Sequence, residues 1–142
     1  MAELDDATFE LVQRFSAEGD ALAATGQYHE AIPAYNRAWG LLPEPKSQWA
    51  AATWILTAIA DAGYLGGFLR SARDALDYVM LCPEAIGNPF LHLRRGEVLY
   101  EQGELAAAAD ELMRAYMGGG PDLFASEPAK YLEFLRTRAV IP

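Results

Sequence analysis

With 142 residues, the chain can bury a core without disulfides or metals, and its 52% hydrophobic content, rich in alanine, argues against disorder. Its formal net charge is −9, from 20 acidic and 11 basic residues, which argues against nucleic acid as a partner because phosphate binding needs the opposite sign. The longest apolar run, Trp54 to Ala60, is too short to span a membrane.

In chain order the pattern predicts seven helices. Asp6 caps a first helix running to about Thr25, and a second follows from about His29 to Leu41. Pro43-x-Pro45 breaks the chain, and Ser47 caps a third helix reaching roughly Ala62. The fourth runs from about Phe68 to Leu81. Asn88 followed by Pro89 is a helix start, a side-chain cap with proline at the first helical position, and this fifth helix ends near Gln102. The sixth spans about Leu105 to Met117 and stops at Gly118-Gly119-Gly120-Pro121. Ser126 caps the last helix, which places Tyr131, Leu132, Phe134 and Leu135 along one side.

One template occurs twice. Gly19, Leu22, Gly26, Tyr28, Ala31, Tyr35 and Ala38 recur in the same register as Gly96, Leu99, Gly103, Leu105, Ala108, Leu112 and Ala115. Small residues at Gly19 and Ala31 let two helices approach closely, Tyr28 and Tyr35 fill the volume beside them, and Gly26 closes the first helix. A weaker copy lies between them: Gly66, Phe68, Ser71, Ala75, Tyr78 and Pro83 line up with Gly26 to Pro43. Gly26 and Gly66 are 40 residues apart, and Gly66 and Gly103 are 37. The excess is assigned to residues 61–67, either as a longer helix or as an enlarged turn. The template resembles the tetratricopeptide repeat, a helix–turn–helix unit of about 34 residues. The resemblance implies an all-α single domain over 1–142, with repeats at about 12–45, 46–85 and 88–121. It further implies a right-handed superhelical array, irregular in its second hairpin and closed by a capping helix at about 126–137.

No catalytic constellation is visible. His29 and His92 lack Cys, Asp or Glu partners at the spacing of a helical metal site, and no P-loop lysine follows the glycine-rich stretches. Cys82, the single cysteine, reads as a structural residue in a reducing cytoplasm, and the acidic N-terminus lacks the features of a secretory signal. No enzyme activity, cofactor or metal is expected. Repeats of this kind build surfaces that hold a protein partner. In tetratricopeptide proteins the first helix of each repeat lines a groove, which implies Asp20, Trp54, Asp61, Phe90, Arg94, Glu97, Tyr100 and Glu101 as partner-binding residues. Trp54 is either an interface anchor or a core tryptophan, while Glu97 and Glu101 either receive a basic side chain or are solvated. The family's carboxylate clamp does not carry over: of Ser16, Asp20, Ala51, Phe90 and Arg94, only Arg94 matches.

Residues 1–45 hold 8 acids and 2 bases, compatible with steering toward a basic protein or simply with solubility. The C-terminal half has a narrower resemblance. Asn88-Pro89-Phe90-x-His92-Leu93-Arg94-x-Gly96, Ala115-Tyr116-Met117-Gly118-x-Gly120 and Lys130-Tyr131-x-x-Phe134-Leu135 are similar to small bacterial tetratricopeptide proteins associated with immunity to polymorphic toxins. That resemblance implies an immunity protein binding a basic toxin domain. A secretion chaperone for a translocator or effector and an assembly scaffold are the alternatives.

Overall fold

The computed structural model describes residues 3–141, and among them every regular element is helical. The helices are α1 (Asp6–Ala24), α2 (Tyr28–Gly40), α3 (Ala50–Gly66), α4 (Leu69–Val79), α5 (Pro89–Glu101), α6 (Leu105–Gly119) and α7 (Ala129–Arg136). Short 3-10 turns at Lys46–Gln48 and Pro121–Phe124 connect them. Three antiparallel hairpins result, α1 with α2, α3 with α4 and α5 with α6. The chain forms two compact units, Met1–Ala85 and Ile86–Pro142, where the sequence suggests one domain. In the first, α2 also packs on α3; in the second, α7 packs beside α6.

All three hairpins turn by the same device. Gly26, Gly67 and Gly103 adopt φ of 78°, 83° and 80°, the left-handed region that glycine enters without a Cβ penalty. The following amide donates back five residues, from Gln27 to the Leu22 carbonyl (2.9 Å), Phe68 to Gly63 (2.7 Å) and Glu104 to Leu99 (3.0 Å). Each glycine amide also donates to the carbonyl three residues before it, completing a Schellman closure that satisfies the orphan carbonyls of the first helix.

This shared closure corrects the register of the second hairpin by one residue. The turn glycine is Gly67, and Gly66 is the last residue of α3. Counting from Gly67, the positions of Ala31 and Ala108 fall to Ala72, those of Tyr35 and Leu112 to Leu76, and those of Ala38 and Ala115 to Val79. All nine are buried at 3% exposure or less. The position of Gly19 and Gly96 becomes Ala60, also buried. Ser71 and Tyr78, which the sequence aligns with the crossing, are exposed. Their register would put polar and bulky groups where two backbones approach. A Cβ on Gly63 would stand 3.1 Å from that of Ala72, just as one on Gly96 would collide with Leu112. The second hairpin is therefore as regular inside as the other two.

Of the two options at 61–67 the longer helix holds: α3 continues to Gly66 and has 17 residues where α5 has 13. The turn after α3 is no larger than its counterparts. Residues 41–49 ahead of α3, which include the 3-10 turn, form a connection as long as residues 80–88 ahead of α5. Lys46 donates from Nζ to the carbonyls of Trp39 (2.9 Å) and Leu42 (2.8 Å), answering the C-terminal end of α2, and the Trp49 indole N–H donates to the Pro43 carbonyl at 2.8 Å.

Three cap assignments also change. Asp5 caps α1, its carboxylate accepting from the Thr8 amide (2.8 Å) and hydroxyl (3.1 Å), so the helix starts with Asp6. Those bonds hold the Asp5 carboxyl below its ordinary range. Ser47 is taken into the 3-10 turn, leaving Trp49 at the N-cap of α3 without a side-chain bond. Pro128 sits at the N-cap of α7, and Ser126 lies ahead of it. Asn88 does cap α5, its Oδ1 accepting from the amides of Phe90 (3.0 Å) and Leu91 (3.3 Å).

Candidate partner-binding site

The candidate residues divide between the two units. In the second, α5 is polar on more than one side, and residues of the same unit pair with its polar side chains, although Oε2 of Glu97 is buried without a hydrogen-bond partner among the described residues. Arg94 is buried, and its Nη1 reaches Oε1 of Glu97 at 2.9 Å and Oε1 of Glu127 at 2.8 Å. Its guanidinium also lies 5.1 Å from the centre of the half-buried Phe90 ring. Glu97 is fully buried. The basic side chain it receives is thus the chain's own Arg94, and solvation is excluded. Burial, with the Glu127 carboxyl beside it, pushes the Glu97 carboxyl up to about 9 against the opposing pull of Arg94. At neutral pH it is protonated, and Glu127 balances the arginine.

Tyr100 and Glu101 meet α7. The Tyr100 ring packs edge-on to Tyr131 (5.4 Å between centres) and Phe134 (5.0 Å). Lys130 pairs with Glu101 and lies 5.8 Å from the centre of the Tyr100 ring, while the Tyr131 hydroxyl donates to Glu101 Oε1 at 3.0 Å. Tyr131 and Leu135 are buried, so α7 covers apolar surface and at the same time engages the acidic and aromatic residues of α5.

His92 belongs to a second buried cluster. The Gly87 amide donates to Nε2 at 2.9 Å, which leaves the proton on Nδ1 to donate to Glu111 Oε2 at 2.6 Å. Arg95 donates to the other Glu111 oxygen at 3.0 Å. This geometry anchors α5 to α6 and leaves neither ring nitrogen open for a substrate proton. Among the described residues, no group of three or more His, Cys, Asp or Glu side chains could hold a metal ion. Cys82 is a buried free thiol whose pKa is raised by burial, consistent with a packing residue.

The first unit carries the open surface. Trp54 projects from the first turns of α3 at 39% exposure, and Phe9 from the first turns of α1 at 43%. Together with Leu4, Trp49, Ala50 and Ala51 they line a cleft of about 400 Å³ whose remaining wall is Glu3 and Asp6. An aromatic left this exposed at the wall of a cleft is not a core tryptophan. Asp20 is exposed and accepts from the Tyr35 hydroxyl at 2.7 Å; Asp61 is close enough for its charge to act on that same hydroxyl. Burial and these two acids raise the Tyr35 pKa, so the phenol stays a donor.

Phe9 escapes the sequence reading because it precedes the first repeat, and Trp49 because it stands at the N-cap of α3, outside the positions the repeat implies for a groove. Glu111 and Glu127 escape it because each partners an α5 residue from another part of the chain, 19 and 33 residues away. No protein-family model matches the chain, and no curated protein matches it.

Proposed function

We propose that this chain is a non-enzymatic protein-binding module of the tetratricopeptide type, and that it holds its partner at the Phe9–Trp54 cleft of the first unit. The observation that carries this reading is the cleft itself: two large aromatic side chains left about 40% exposed on adjacent helices, beside two carboxylates. Hot spots of protein interfaces are typically tryptophan or tyrosine seated in such a pocket. Three hairpins with one closure and one set of small crossing positions support the repeat-type assignment.

Within this class we favour an immunity-type protein acting in the cytoplasm on a basic toxin domain. The acidic surplus of residues 1–45 supplies the complementary field, since it surrounds the cleft-bearing α1. Co-expression with the toxin-like product of a neighbouring gene tests the reading. The chain should protect the host, and Trp54→Ala should weaken the isolated complex by about 2 kcal/mol, roughly thirtyfold, with helix content unchanged. Full protection and unchanged affinity in Trp54→Ala would overturn the site. Binding to a translocator in place of a toxin would turn the assignment to a secretion chaperone.

A further inference from the structure

The lining of the cleft specifies more than an apolar anchor. Phe9, Trp49 and Trp54 supply three aromatic rings to its lining, Glu3 and Asp6 supply two carboxylates, and no basic side chain lines the space. Aromatic rings attract a cation through their quadrupoles, and a planar guanidinium stacks on them better than an ammonium while donating to carboxylates in a fixed fork. The indole N–H of Trp49 is already committed to Pro43, which helps fix that ring in place. One local charge opposes this. The N-terminus of α3 has no side-chain cap and carries roughly half a positive charge. Two full carboxylates outweigh it, and the wider acidic surplus of residues 1–45 acts in the same direction.

We propose that the cleft receives an arginine side chain of the partner protein, stacked between the aromatic rings with its guanidinium turned toward Glu3 and Asp6. This rests on the binding-module reading and names what that site recognises. The cleft, at about 400 Å³, is at the small end of ligand pockets, which suits a single long side chain with a little adjoining backbone.

The probe is acetyl-Gly-Arg-Gly-amide, compared with the same peptide carrying citrulline, which keeps the shape and loses the charge. The three tryptophans provide the readout through their indole N–H resonances. Trp39 does not line the cleft and serves as the internal control. The arginine peptide should shift Trp54 and Trp49 but not Trp39, and citrulline should bind about tenfold more weakly. Trp54→Leu, which keeps the apolar bulk, should erase the preference, as should Glu3→Gln with Asp6→Asn. Equal responses to both peptides, no shift at saturating peptide, or an equal shift at Trp39 would overturn the arginine assignment. Loss of native-partner binding in Trp54→Ala alongside such a result would leave the binding-module reading standing and remove only the arginine. Indifference of the native partner to Trp54→Ala would instead remove the site itself.

Discussion

Replacing Glu97 with glutamine should change how stability depends on pH. The folded carboxyl titrates at about 9, against 4.5 for the ordinary group, because it is fully buried and stands beside Glu127. Between those values the native chain keeps a proton that the unfolded chain has released. Stability from this group is therefore fully present below pH 4.5 and is lost as pH rises toward 9, at up to about 1.4 kcal/mol per pH unit. Glutamine has the same shape as the protonated acid and does not titrate. From pH 6 to pH 8 the stability of Glu97→Gln should accordingly rise relative to wild type by up to about 3 kcal/mol, with Arg94 still paired to Glu127. Urea unfolding at several pH values gives the difference curve, and the carboxyl carbon resonance of Glu97 reports its protonation directly. Parallel pH profiles for the two proteins, or an ionised Glu97 carboxylate at pH 7, would refute the reasoning.

Two further outcomes test the corrected register and the shared turn. Ala72→Leu should overpack the crossing with Gly63 and cost roughly 1–3 kcal/mol in thermal or urea unfolding, while Ser71→Leu, one residue away and exposed, should stay within about 0.5 kcal/mol. Gly67→Ala should lose about 1 kcal/mol or more because alanine is strained at a φ of 83°; a neutral effect in the same assay would argue against the Schellman closure.

The fold was legible in the sequence where one residue type admits one solution. Asn88-Pro89 marked a helix start, and the caps and proline placed there obey local chemistry alone. The repeated Gly–Leu–Gly–Ala spacing marked the first and third hairpins for the same reason. Gly66-Gly67 offered two adjacent residues able to turn, and only the hydrogen bonds of the closure distinguish them. Asp5 and Asp6 posed the same ambiguity at the start of α1, decided by which carboxylate reaches the Thr8 amide. The site was legible in part. Trp54 stood out as a large aromatic at a helix position expected to face a partner. Burial of Glu97 was not readable, since a glutamate three residues from an arginine usually lies in solvent, and Glu127, the carboxyl beside it, comes 30 residues later in the chain.

Site-specific photo-crosslinking in the native host tests the central claim most directly. A benzophenone amino acid at position 54, in the cleft wall, is compared with one at Met117, which is 78% exposed near the end of α6. The account predicts a discrete adduct with a basic protein from position 54, absent from position 117 and weakened by rising salt. An adduct formed only from position 117, or the same diffuse pattern from both, would contradict it.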